Sequence, residues 1–197
     1  SVHTIAMQIA LVDNHDSFTW NLVERFRRID GVALEVLSSS EVDVEALGGF
    51  DGIVFSPGPG IPAEQPAMFD ILDRWAAEKA ILGVCLGHQA IARWLGAGLV
   101  NLARPVHGES VELEILQEDA LFDGLARPIC AGLYHSWAVD ATTLPPEVIV
   151  TAQSPTGRLM AMRHARFNVR GVQFHPESIL TPAGEAMLRS WIAILQK

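Results

Sequence analysis

AILGVCLGHQAIA, residues 80–92, is the stretch that decides the fold. Ala80–Val84 is a short apolar run without polar alternation, which reads as a buried strand. From His88 the sequence takes on helical spacing, HQAIARWLGA (88–97). Between them lies GVCLG (83–87), a cysteine with glycine two positions before and two after it. This is the spacing of a nucleophile elbow, G-x-Nuc-x-G, with cysteine in place of serine. A sharp strand–turn–helix brings the flanking residues close together, and glycines relieve the crowding. Cys85 then projects at a helix N-terminus, where the helix field and free N–H groups favour a thiolate. The backbone N–H of Leu86 would point at an oxyanion formed by attack on a carbonyl. The competing reading of Cys85 is core filler, since cysteine is among the most buried residue types.

Working outward, strand and helix alternate through the first half. QIALVD (8–13), VALEVL (32–37) and GIVFS (52–56) read as strands. DSFTWNLVERFRR (16–28), capped by Asp16 or Ser17, and EQPAMFDILDRWAAEK (64–79) read as helices, with a short one over 42–50. Continuous apolar strands between helices belong to a parallel sheet covered on both faces. The second half reads as strands with short connections: 100–103, 110–116, 129–134, 147–153, 158–164 and 167–174. SPTG (154–157) suits a hairpin turn. A last helix covers about 182–195. The expected fold class is α/β: an open, mostly parallel twisted sheet flanked by helices, with an added antiparallel or mixed portion.

Composition sets bounds. The chain has 197 residues, 49% of them hydrophobic, which fits one domain with a sizeable core. The formal net charge of -9, with Lys79 and Lys197 the only lysines, argues against a nucleic-acid partner. No apolar run approaches the ~20 residues of a membrane span, and the start lacks a basic leader region. Two cysteines, Cys85 and Cys130, make no disulfide framework, so a reducing, cytoplasmic setting is expected.

Three further segments could meet Cys85 beyond the strand ends, where open α/β sheets form their sites. SPGPG (56–60) is a stiff loop whose Gly58 and Gly60 leave backbone N–H groups open to a ligand; it lacks the ending of a phosphate loop. GVQFHPES (171–178) offers His175 as a base and Glu177 as the acid that orients it, two apart on an extended segment. YHSW (134–137) offers His135 and Ser136 as polar contacts, with His135 an alternative base. Gln89 lies one helical turn beyond Cys85. Cys85, His175 and Glu177 contain no close metal-ligand pair, and His88, His107, His135 and His164 are scattered, so no metal site is expected.

Together these segments resemble the class I, triad-type glutamine amidotransferases. GVCLGHQAIA and GVQFHPESILT carry the resemblance. LVDNHDSFTWNLV (11–23), FSPGPGIP (55–62), HGES (107–110), YHS (134–136) and HPESILTPAG (175–184) narrow it to the small subunits of anthranilate synthase and aminodeoxychorismate synthase. It spans roughly residues 8–195 and implies a single, flavodoxin-like glutamine amidotransferase domain over 1–197. The resemblance implies Cys85 as nucleophile, His175 as base and Glu177 as its orienting acid. It implies an oxyanion hole from the backbone of Gly58 and Leu86, and L-glutamine held by Gly58, Pro59, Gly60, Gln89, His135 and Ser136. It implies no cofactor in this chain, with Mg2+ expected only in a chorismate-using large subunit that receives the ammonia. Anthranilate synthesis leads; aminodeoxychorismate synthesis, or one small subunit serving both, is the alternative. A hydrolase of other amides and a non-catalytic regulatory subunit are remoter. Three positions depart from the pattern: Glu109 stands where lysine is common, Trp20 where tyrosine is frequent, and Trp137 where leucine is commoner, the last read as packing or an interface aromatic.

Overall fold

The computed structural model describes residues 6–195; residues 1–5 (read above for a leader) and 196–197 lie outside that range. The strands are β1 (Met7–Asp13), β2 (Val32–Ser38), β3 (Gly52–Phe55), β4 (Ala80–Val84), β5 (Leu99–Ile115), β6 (Ile129–Val139), β7 (Val148–Gln153), β8 (Leu159–His164) and β9 (Val169–Val172). The α-helices are α1 (Thr19–Arg27), α2 (Ala67–Trp75), α3 (Leu86–Trp94) and α4 (Gly184–Leu195). The sheet order is β2-β1-β3-β4-β9-β8-β7-β5-β6. The first five are parallel and β8 turns antiparallel against β9. The mixed α/β sheet expected from the sequence is the one observed.

The apolar runs explain the layering. Along β1, Ile9 and Leu11 join a core with Leu22 and Phe26 of α1 and Trp191 of α4. Ala10 and Val12 join the opposite core with Met68, Leu72 and Trp75 of α2 and Ile91 of α3. One strand feeds two hydrophobic layers, which is why its sequence shows no alternation. Phe26 and Trp191 meet edge-on with ring centroids 6.1 Å apart, a geometry worth about 0.5–1.5 kcal/mol beyond area burial. Trp94, whose helical pattern suggests a core position, is half-buried and donates to Asp73 Oδ1 at 2.8 Å.

Three local expectations are corrected. The segments 100–103 and 110–116 are one strand, β5, whose register against β6 shifts at Asn101/Val106 and at His107/Glu109. Gly108, at φ 72°, forms part of a bulge where the sequence suggests a break. Its partner β6 runs on through YHSW, so His135 and Ser136 lie within a strand instead of after one. Neither Asp16 nor Ser17 caps α1: Phe18 holds that position, and Asp16 Oδ1 accepts from its N–H at 2.8 Å, closing a turn just before the helix.

Sheet order fixes where a site can form. It reverses direction between β1 and β3, the kind of crevice where doubly wound sheets bind ligands. The loops after β1, β3, β4 and β9 all open at that end.

Candidate active site

The turn after β4 has the geometry that its glycines imply. Cys85 sits at the N-cap of α3 with φ 53° and ψ -98°, one of two non-glycine residues at positive φ among those described. α3 therefore begins at Leu86, two residues earlier than its helical pattern suggests. A Cβ at Gly83 would lie 2.5 Å from the carbonyl of Gly87, and one at Gly87 would lie 2.5 Å from Phe55 Cβ. Strand end, helix start and β3 touch backbone to backbone. Gly87→Ala is expected to destabilise the fold by about 1–3 kcal/mol through overpacking, read as a lower urea midpoint; an unchanged midpoint would show that the elbow can widen.

Cys85 hangs from the neighbouring strand by its N–H, which donates to Val172 O at 2.8 Å. Val172 ends β9, so the chain that follows it is delivered beside the thiol. There His175 N–H donates to Gly132 O at 3.0 Å, and Thr181 Oγ1 donates to His175 O at 2.7 Å. Gly132 N–H donates in turn to Thr181 Oγ1 at 2.9 Å. The ILTPAG segment thus clamps the histidine backbone to β6. Phe18 and Tyr134 pack on the imidazole, with centroids 5.6 and 5.1 Å away.

His175 Nδ1 and Glu177 Oε1 are 2.5 Å apart, and both side chains are almost wholly buried. Burial alone would lower the imidazole pKa. Hydrogen bonding to Cys85 and Glu177, together with their charges, outweighs it and holds His175 well above its ordinary value. Nε2 is left without a hydrogen bond of good geometry, as is common before substrate arrives. A carboxylate on Nδ1 keeps the other nitrogen directed at the sulfur, the logic of a nucleophilic triad. His135, the alternative base, has no carboxylate: its Nδ1 donates to Trp137 O at 2.8 Å. Its pKa is lowered, chiefly by burial, so it faces the site as a neutral ring.

SPGPG is held by the segment after β1. Asn14 N–H donates to Ser56 Oγ at 2.8 Å, and Asn14 Nδ2 donates to Ser56 O at 2.9 Å. Gly58 is pressed against that neighbour: a Cβ there would fall 2.6 Å from Leu86 Cδ2 and 2.8 Å from Asn14 Cβ. This close approach brings the Gly58 backbone to the first residue of α3, whose N–H has no intrahelical acceptor.

These pieces surround a cavity of about 380 Å³ lined by Phe18, Gly58–Gly60, Cys85, Gln89, His107, Tyr134–His135 and Ser136–Trp137. Every residue expected to hold a ligand, Gly58, Pro59, Gly60, Gln89, His135 and Ser136, is in that wall. Phe18, His107 and Tyr134 join them; each lies in a segment that carries the resemblance, but none is singled out there for a role. Trp137 lines the cavity instead of packing in the core. Glu109 is exposed and lines an adjoining cavity with Arg104 and Arg158. His88 is buried away from the cavity wall; burial, above all, lowers its pKa to about 3. His164 stacks on Phe167 elsewhere. Cys130 is a half-buried free thiol of β6. No cluster of three or more His, Cys, Asp or Glu among the described residues is arranged to hold a metal ion, and no described helix is long and apolar enough to cross a membrane.

Comparison with known proteins gives consistent matches. The family model described as glutamine amidotransferase class-I matches residues 10–194. The aminodeoxychorismate/anthranilate synthase component 2 of Bacillus subtilis is 39% identical over 191 residues, covering 96% of this chain and 97% of that one. The aminodeoxychorismate synthase component 2 of Escherichia coli is 40% identical over 186 residues, covering 93% and 98%. Among solved structures, a Thermoplasma acidophilum protein assigned to GMP synthase superimposes with a TM-score of 0.88 at 27% identity, over 98% of this chain and 96% of that one.

Proposed function

Because this chain belongs to the class-I glutamine amidotransferase family, we propose that Cys85, His175 and Glu177 are the residues with which it hydrolyses L-glutamine, and that a chorismate-using synthase subunit receives the ammonia. The observation that carries the assignment is the strained Cys85, held at a helix N-terminus and hydrogen-bonded to the strand that delivers a histidine–carboxylate pair.

The Cys85 thiolate attacks the side-chain amide carbon of glutamine. The Gly58 and Leu86 N–H groups stabilise the oxyanion. The protonated His175 donates to the amide nitrogen, because an amide nitrogen leaves only once protonated. Ammonia departs and a γ-glutamyl thioester remains. His175 then takes a proton from water, hydroxide adds to the thioester, and glutamate leaves as the thiolate re-forms. Gly58, Pro59, Gly60, Gln89, His135 and Ser136 hold the amino-acid end. No step calls for a metal or cofactor here, and Mg2+ belongs with the chorismate chemistry of the partner.

The pathway follows from what the ammonia meets. The Bacillus subtilis relative is named for both anthranilate and aminodeoxychorismate synthesis, the Escherichia coli relative for aminodeoxychorismate alone. Anthranilate synthase component 2 is the leading reading, with service to aminodeoxychorismate synthesis alongside or instead of it. The test is glutamate release from glutamine with and without the candidate large subunit, followed by the aromatic product made from chorismate. No glutamate in either condition would overturn the amidotransferase reading.

Glu177→Gln tests the acid. Glu177 raises the His175 pKa, so its removal lets that pKa fall. Imidazolium is needed to protonate the leaving nitrogen, and it is lost as pH rises through the His175 pKa. The alkaline limb of the kcat profile is therefore expected to move to lower pH, with kcat reduced roughly 10- to 100-fold. A profile that kept its alkaline limb in place would remove Glu177 from this role.

A further inference from the structure

We propose that Gln173 is a further catalytic residue, whose side-chain Nε2–H donates to the Cys85 thiolate while its Oε1 sets the orientation of Gln89. The inference rests on Cys85 being the nucleophile. Gln173 is fully buried, and its backbone N–H is anchored to Met160 O at 2.8 Å. It stands outside the triad and the cavity wall, yet its Nε2 lies 3.5 Å from Cys85 Sγ.

The direction of every hydrogen bond in this chain is dictated from one end. Trp137 O is a backbone carbonyl and can only accept, so the group facing it at 2.8 Å must be the Gln89 NH2. That same NH2 lies 3.2 Å from Gln173, which must therefore present its Oε1. With its oxygen committed there, Gln173 has only its NH2 left for the sulfur. Both amides are buried, so a flipped amide gains nothing from solvent. Sulfur accepts strongly only as thiolate, so a fixed donor favours the ionised form. Tyr134 O, 3.8 Å from Sγ on another side, is an acceptor and favours the thiol. Gln173 opposes it. The second consequence falls on Gln89: both its N–H bonds are turned to protein oxygens, so what it can offer the cavity is an acceptor, suited to the ammonium group of an amino acid.

Two variants separate these roles. Gln173→Met removes donor and acceptor at similar volume. Gln173→Glu keeps an acceptor for Gln89 but lacks the donor when ionised. In a Cys130→Ser background, the rate of alkylation by iodoacetamide against pH reports the ionisation of Cys85 alone. Gln173→Met is expected to move the midpoint of that profile up by about one pH unit, tenfold in the ionisation constant. It is also expected to raise the KM for glutamine severalfold, as Gln89 is released. Gln173→Glu is expected to move the midpoint at least as far while holding KM within about twofold. A purely structural Gln173 would alter the unfolding midpoint and leave the alkylation profile in place. An unshifted profile in folded Gln173→Met overturns the proposal, and if that variant does not fold, an unshifted profile in Gln173→Glu does so. Alkylation needs no glutamine, so this result stands apart from glutamate release by the parent chain, which tests the amidotransferase reading.

Discussion

Cys85→Ser is expected to lower glutamine hydrolysis by roughly 10⁴-fold or more while leaving the fold intact. The substitution exchanges one small side chain for another at a nearly buried position, and serine meets the same backbone conformation as cysteine. What changes is ionisation. The His175 pKa is raised partly by hydrogen bonding to Cys85 and by its charge, so ring and thiolate favour each other's charged forms. A hydroxyl is far harder to ionise than a thiol, and it does not supply the charge that holds His175 as an imidazolium. Losses of that order are what removal of a triad nucleophile produces elsewhere. The measurement is glutamate release in the presence of the large subunit, with the unfolding curve as control. Activity within tenfold of the parent would sink Cys85 as the nucleophile.

Gly58→Ala is expected to have the second largest effect, a fall in kcat of about 10²–10³-fold, the scale of losing an oxyanion donor. The added Cβ would fall 2.6 Å from Leu86 Cδ2 and 2.8 Å from Asn14 Cβ. The leucine methyl can turn aside. Asn14 cannot, because both its backbone N–H and its amide are bound to Ser56. The loop must retreat, and the Gly58 N–H moves away from the reacting carbonyl. Since the loop is at the surface end of the sheet, the cost should fall on rate much more than on stability. Comparable losses in both kcat and unfolding midpoint would instead mark Gly58 as a packing residue.

The parallel half of the fold and the tight turn at Cys85 were legible because local constraints and global placement agree there. Two-sided burial writes itself into β1, β3 and β4 as unbroken apolar runs, and the GVCLG turn needs its glycines wherever it occurs. The bulged β5 was less legible. Proline and glycine in ARPVHGES read as a break, yet β6 supplies a partner on both sides of the irregularity, and tertiary pairing overrides the local signal. In the site, the reactive residues announce themselves by type. The packing residues do not: Phe18 and Tyr134 embrace His175 through contacts between distant elements, which one-dimensional spacing cannot express. Gln173 left one trace, a lone amide inside an apolar strand end two residues before the histidine, but nothing in the sequence says that it reaches sulfur.

β9 is the last strand in the chain, yet it lies in the middle of the sheet, flanked by β4 and β8. A growing chain therefore contains the GVCLG segment long before it contains His175. Without Val169–Val172 in place, Cys85 has neither its anchoring carbonyl nor the neighbouring His175. Placing the final strand between two earlier ones makes ammonia release a property of the finished molecule, and a chain cut short before β9 is silent by construction.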